Sequence, residues 1–501
     1  MTKKNLLICF FFLLANICVS QTKTFHLSDP MPQTRSANTA FDPSVTRTGK
    51  VRINDARNLE TILQDVDNLS IMLFNDASFT AIKNTVRRTP SGAVYWYGEL
   101  SDNRNGVVNL LWKDGLLVGD IHDYDADKVF DLTSDCQGQC SVAELDLQLQ
   151  DEYEDCYHNE EIPEYEQHFR ASAAEIASPD NPAYIDILIL YPYQTALLMG
   201  STKESITAKI EEIIEETNQI FINSAVYVQF RLAGHEMNDA IPHDNTSATT
   251  VRTTVGVSAI RDYYGADIVS HWNYDGSAGS GTVGSHTASA NAGFNTSKYS
   301  EVISRYTFAH ECGHNLGARH DRYEYLKSSS TTEISTIKPG YQFGKCFLEY
   351  RTVMAYDNSK YLPGSDGKSK KRIMHYSNPD VLYNGVPTGV VGEYQSSEGD
   401  GGPANAARMI NECAKNAENW RESKIQTSIA PIENAKIRII PNPASELIKI
   451  ENLTKGEQIK IYNSAGILMG NYEAEQISVS HFPAGIYFLK TSNNTLKFLK
   501  K

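Results

Sequence analysis

The sequence predicts an α/β domain set between a mainly β N-terminal unit and a small C-terminal β-sandwich. Three observations carry this expectation. The apolar run YIDILILY (184–191) has strand length, and a long helix-spaced segment and two further strand-like runs follow it. Upstream, GAVYWYGEL and GVVNLLWKDGLLVGDI read as strands. Over the last ~70 residues, short alternating strands are broken by Asn-Pro, Ser-Ala-Gly and Pro-Ala-Gly turns.

In chain order, Lys3 and Lys4 precede the apolar run NLLICFFFLLANICV, and Ser20 precedes Gln21. A basic start, a short apolar stretch and a small residue read as a secretory signal peptide over 1–20, too short for a membrane span. No other stretch is apolar enough to cross a bilayer, so the chain is expected to be exported. The formal charge is −15 and the Lys and Arg residues are scattered, which argues against nucleic acid or an anionic membrane as the main partner. Cys9 and Cys18 leave with the signal; Cys136, Cys140, Cys156, Cys312, Cys346 and Cys413 remain, and export makes disulfides an expectation without fixing their pairing.

Residues 21–178 read as one unit ending in the acidic segment DEYEDCYHNEEIPEYEQHF (151–169), with Arg170 just beyond as a candidate cleavage point. The next unit spans 179–424. In ESITAKIEEIIEETNQIFINSAV, Ile206, Ile210, Ile213, Ile214, Thr217, Ile220 and Phe221 keep helical spacing, and Glu211, Glu212, Glu215 and Glu216 fall largely on the opposite side. VYVQFRL and ADIVSHW read as strands. GSAGSGTVGSHTASANAGFNTS (276–297) is a loop with one edge strand and lacks the lysine and spacing of a phosphate-binding loop. A helix over 404–422, with Met409, Ile410, Cys413, Ala417 and Trp420 on one face, closes the unit. A linker at 425–431 leads to the terminal β unit, 432–501.

The chemistry concentrates in HECGHNLGARHD (310–321). His310 and His314 are four apart, so on a helix both imidazoles leave one face and share one zinc ion. Glu311 projects beside them as a general base for the attacking water. Gly317 ends the helix and turns the chain so that His320 arrives as third ligand. Three neutral imidazoles leave a position open, the layout of a catalytic rather than a structural zinc site.

These residues resemble the metzincin zinc metallopeptidases, whose motif His-Glu-x-x-His-x-x-Gly-x-x-His is matched from His310 to His320. Met354 in RTVMAYDN matches the family's methionine turn, and Asn315-Leu316 with Asp321 look like the reprolysin (adamalysin) branch. The resemblance spans about 183–423 and implies a twisted mixed sheet with an active-site helix, and hydrolysis of peptide bonds in proteins or peptides. Tyr356 departs from the reprolysins; it is more like the tyrosine of astacins and serralysins, which implies a catalytic role. Cys413 with Asn416, joined by Asp267, resembles a reprolysin calcium site. Helical spacing turns Cys312 away from the zinc face, toward core or a disulfide.

The resemblance also makes 21–178 a propeptide, whose Cys156 is the candidate thiol to block the zinc, with Cys136 or Cys140 as alternatives if they do not pair, although the surroundings of Cys156 do not match the usual switch motif. PNPAS, IYNSAG, FPAGIYFLK and the closing KFLKK resemble the sorting domain of the Bacteroidetes type IX secretion system. This implies a route through the periplasm and outer membrane by that machinery, to release or the cell surface. The favoured expectation is a secreted zinc endopeptidase made as a zymogen; the alternative is an inactive metzincin-like surface adhesin.

Overall fold

The computed structural model describes residues 22–32, 42–101, 104–134, 138–150, 176–200, 202–243, 246–276, 278–328, 340–358, 361–362, 364–368, 370–392, 402–425, 438–440, 444–451, 458–463, 467–472, 476–491 and 495–501. The expected signal peptide, acidic segment, Arg170, Cys136 and Cys156 lie outside these residues, as does nearly all of the expected linker. Among the described residues no helix is long and apolar enough to cross a membrane. Residues 1–425 and 426–501 form two separate compact units.

The first unit opens with nine strands: β1 (Thr24–Pro30), β2 (Val45–Ile53), β3 (Asn68–Phe74), β4 (Ala77–Arg88), β5 (Val94–Leu100), β6 (Gly106–Lys113), β7 (Leu116–Asp123), β8 (Lys128–Ser134) and β9 (Gln139–Asp146). A short helix, α1 (Leu59–Asp65), lies between β2 and β3. The strands close into a barrel in the order β1-β2-β9-β8-β7-β6-β5-β4-β3, so the sheet has no free edge. The run GVVNLLWKDGLLVGDI is the β6–β7 hairpin, turned at Asp114 and Gly115, both at positive φ as a two-residue hairpin loop requires. Leu27, Trp96, Val108, Leu110, Ile121 and Phe130 fill the interior.

The barrel is followed by β10 (Ala183–Tyr191), α2 (Tyr193–Met199), α3 (Lys203–Asn223), β11 (Val228–Met237), α4 (Ala248–Thr253), α5 (Val257–Tyr264) and β12 (Ile268–Asn273). Then come β13 (Gly279–Gly281), β14 (Phe294–Lys298), α6 (Tyr299–Arg305) and α7 (Thr307–Asn315). The sheet order is β11-β10-β12-β14-β13; every pairing is parallel except that of the edge strand β13. This is an α/β layer, as the strand–helix–strand pattern predicts, with the mixed sheet that the resemblance implies. Short pieces complete the unit: β15 (Arg319–Asp321), α8 (Arg322–Ser328), β16 (Phe343–Gly344), β17 (Tyr350–Arg351), β18 (Lys371–Arg372), β19 (Leu382–Tyr383), β20 (Val386–Pro387) and α9 (Ala406–Ala417).

Helix α3 starts at a capping box made by Thr202 and Ser205. Its glutamates do lie opposite its isoleucines, but that side does not face water. The outer face of β5–β8 covers it, leaving Glu211, Glu212, Glu215 and Glu216 only 8, 0, 6 and 2 % exposed. Arg87 grips Glu215, Lys113 grips Glu211, and one apolar core joins barrel residues such as Tyr95 and Val118 to Ile213, Ile220 and Phe308. An amphipathic pattern sorts a helix into two faces; it does not say what covers the polar one.

The second unit has a three-stranded antiparallel sheet of β21 (Arg438–Ile440), β22 (Leu447–Glu451) and β25 (Gln476–Ser478). Its four-stranded antiparallel sheet has β23 (Ile459–Asn463), β24 (Leu468–Tyr472), β26 (Gly485–Lys490) and β27 (Thr495–Lys500). Ile448, Ile450, Ile461, Tyr487, Leu489 and Phe498 form their common core.

Candidate metal centre

The centre is built on α7, where four-residue spacing puts His310 and His314 on one face. Gly317 ends that helix at φ +87°, and the amide of Ala318 donates to the Gly313 carbonyl over 2.9 Å to close the last turn. The reversal brings His320, on β15, back over the helix. The three Nε2 atoms then stand 3.1 Å (His310–His320), 3.2 Å (His310–His314) and 3.1 Å (His314–His320) apart.

The outer ring nitrogens decide what this cluster holds. His310 Nδ1 lies 2.8 Å from the Val353 carbonyl and His314 Nδ1 2.9 Å from that of Ala318. A carbonyl only accepts, so each Nδ1 carries the proton and each Nε2 turns a lone pair inward. Buried lone pairs converging at such distances repel one another unless a cation sits among them. A set of neutral imidazoles with carbonyl-fixed tautomers fits zinc.

Glu311 is fully buried on the same helix. Edge strand β13 passes so close that a Cβ at Gly279 would lie 2.2 Å from Glu311 Oε1, and one at Gly281 2.8 Å from Oε2. The glycine-rich run therefore does more than loop: its lack of side chains lets the sheet edge lie against the carboxylate. Below, a Cβ at Gly313 would come 2.5 Å from the sulfur of the buried Met354, so the methionine turn packs directly under the helix. Asp321 ties the two segments together. It accepts from the backbone amides of Tyr356 (2.9 Å) and Glu324 (3.0 Å) and from Asn358 Nδ2 (3.0 Å). The Tyr356 ring sits against His320, with centroids 4.1 Å apart.

Other expectations fare differently. Cys312 does face away from the triad; it is a buried thiol receiving Asn295 Nδ2 at 3.5 Å, and burial pushes its pKa well up. No disulfide joins Cys140, Cys312, Cys346 or Cys413 to another of them, so the disulfide expectation finds no bond among the described residues. A disulfide needs two sulfurs brought together, which export alone does not arrange. Asp267 and Asn416 both bond within the protein. Asp267 accepts from the amides of Asp186 and Arg421, burial pushes its pKa up to about 7, and Asn416 donates to the Ala288 carbonyl. Sequence reasoning missed Gly279 and Gly281, although the glycine run was in view. It also missed a second convergent group, Asp120, His122 and Glu216. Its signal was the Asp-Ile-His alternation in a strand.

Three imidazoles turned toward one point beside a buried carboxylate form a group that could hold a metal ion. The comparisons agree. Residues 181–368 match the family model described as Metallo-peptidase family M12, and residues 438–501 that described as Secretion system C-terminal sorting domain. A peptidyl-Asp metalloendopeptidase of Stenotrophomonas maltophilia (strain R551-3) is 29% identical over 226 residues, covering 43% of this chain and 49% of the relative. One of Xanthomonas campestris pv. campestris is 29% identical over 231 residues, covering 44% and 50%. The chain thus spans about half the length of the curated relatives it matches. Among solved structures, metalloproteinase-II from Bacteroides fragilis overlaps with a TM-score of 0.28 at 13% identity, covering 53% of this chain and 85% of that one, too slight to carry an argument. Residues 181–368 are thus a metzincin-like metallopeptidase domain, and residues 438–501 a secretion sorting domain.

Proposed function

We propose that the chain is a secreted zinc endopeptidase made as a zymogen, with residues 21–178 as its propeptide. The observation that carries the activity is the convergence of three imidazole Nε2 atoms at 3.1–3.2 Å beside the buried Glu311. His310, His314 and His320 would hold the metal. Zinc held there supplies Lewis-acid polarisation of the attacking water and of the scissile carbonyl. Glu311 takes the proton of that water and passes it to the leaving amine. Edge strand β13, whose bare glycines lie against Glu311, is the candidate strand for a substrate in extended conformation to pair with. Tyr356, whose ring lies against His320, is the candidate to steady the oxyanion. Cys156 remains the candidate propeptide thiol for the open zinc position.

The sorting domain supports export by type IX secretion machinery, to release or the cell surface. The curated relatives' name supports a preference for peptide bonds at aspartate.

Glu311→Ala tests the reading. It should retain one zinc per catalytic centre and lose hydrolysis by at least about 10²-fold, the lower range for a general base. Full activity of that variant on a peptide library, read by mass spectrometry, would refute it. The same library reads the aspartate preference.

A further inference from the structure

A second buried group lies where the barrel meets α3. Asp120 and His122 alternate along β7 and so point from the same side of the strand, outward from the barrel. Glu212 and Glu216 stand one helical turn apart on α3 opposite them. The barrel sheet adds a polar row, because Asn109 on β6 and Asp131 on β8 both pair with Asp120. Asn109 Nδ2 donates to Asp120 Oδ1 at 2.9 Å and to Glu216 Oε1 at 3.1 Å. Lys209 Nζ sits 2.7 Å from Asp131 and 2.8 Å from Glu212. The His122 ring stacks on Tyr306, the residue directly before α7, with centroids 4.7 Å apart.

The charges do not balance. Asp120, Asp131, Glu212 and Glu216 bring four carboxylates against one ammonium, all in a site closed to water. Burial, with the neighbouring carboxylates, pushes the pKa values of Glu212 and Glu216 well up. Asp120 Oδ2, His122 Nε2 and Glu212 Oε1 are among the buried atoms there without a well-aligned hydrogen-bond partner. Their side chains are 0, 1 and 0 % exposed. His122 Nε2 faces Asp120 Oδ1 at 3.4 Å and Glu216 Oε1 at 3.8 Å, and one donor atom from each of the three residues falls within 4.8 Å of the others.

We propose that Asp120, His122 and Glu216 bind a second divalent cation, which ties the N-terminal barrel to the catalytic domain. One imidazole with carboxylates is a donor set for a zinc-class ion rather than for calcium, which takes oxygen ligands alone. Glu212 Oε1 stands near as a further oxygen donor. The site needs both β7 and α3, so the cation binds only while the barrel is docked, and binding stabilises the docked form by mass action.

Metal counting on the full-length chain tests this independently of the peptidase reading. A His310→Ala/His314→Ala variant, dialysed against zinc and analysed by elemental mass spectrometry, should still hold one ion per chain. Adding zinc to it should raise its melting temperature. Introducing Glu216→Gln, close in shape to the native residue, should remove that ion and the melting shift; Asp120→Asn should do the same. Should either of these variants misfold, the zinc content of the His310→Ala/His314→Ala protein decides alone. No bound zinc in that folded protein, or zinc unaffected by folded Glu216→Gln and Asp120→Asn variants, overturns the proposal. Protons rather than a cation would then neutralise the cluster.

Discussion

At the residue scale, the centre depends on atoms that are missing as much as on those present. Gly279 has no Cβ, and any substituent would strike Glu311 Oε1. Gly279→Ala should therefore push the strand or the carboxylate aside. A displacement of about 1 Å at a reacting group costs about 10²-fold in rate. We expect kcat/KM on a peptide substrate to fall by about that factor while zinc content stays unchanged. Equal activity in the variant would mean that the strand does not set the position of Glu311. Gly317 acts through its conformation, since φ +87° costs an L-residue about 1–2 kcal/mol. Gly317→Ala also drives a Cβ within 2.6 Å of Met409 Cε. Strain at that turn displaces His320, so the expected outcome is weaker zinc retention during titration with a chelator.

At the element scale, α3 is held to the sheet by a histidine. His235 on β11 contacts the Tyr191 hydroxyl of β10 at 2.8 Å through Nδ1, and Thr207 of α3 at 2.8 Å through Nε2. Burial, helped by nearby Lys203, lowers its pKa to about 4. The folded state thus prefers the neutral ring more than the unfolded chain does. Its contribution to stability is present above the ordinary value near 6.5 and is lost as pH falls from there toward 4. The melting temperature should drop between pH 7 and pH 5, and His235→Gln should drop less. An identical pH dependence in both proteins would show that this ring does not carry the effect.

At the scale of the whole molecule, the barrel and the metallopeptidase domain share one core, and charged pairs line the junction. Arg87 makes the most extensive of these contacts. Its Nε reaches Glu215 Oε2 at 3.1 Å, its Nη2 the Glu215 carbonyl at 2.9 Å and its Nη1 Gln219 Oε1 at 2.6 Å. The guanidinium also lies over the Tyr95 ring. Arg87→Ala would strand the buried Glu215 carboxylate, a loss of about 3 kcal/mol. The intact chain should then melt lower, and limited proteolysis should free the barrel sooner. Unchanged proteolysis would place the docking energy in the apolar contacts instead.

The sequence by itself determined what local spacing encodes. Four-residue spacing put two imidazoles on one helix face, the glycine at 317 marked the reversal, and Met354 followed at the turn beneath. The strands of the sheet and the hairpins of both β units were legible because alternation and turn residues act over a few positions. Tertiary structure alone decided the rest. It closed nine strands into a barrel, set the barrel on the acidic face of α3, and gathered Asp120, His122 and Glu216 from two distant segments. It also laid Gly279 against Glu311 and left Cys140, Cys312, Cys346 and Cys413 unbridged to one another. The physical reason is range. A helix or turn is fixed by neighbours in the chain, whereas a buried charge or a bare glycine takes its meaning from what packs against it.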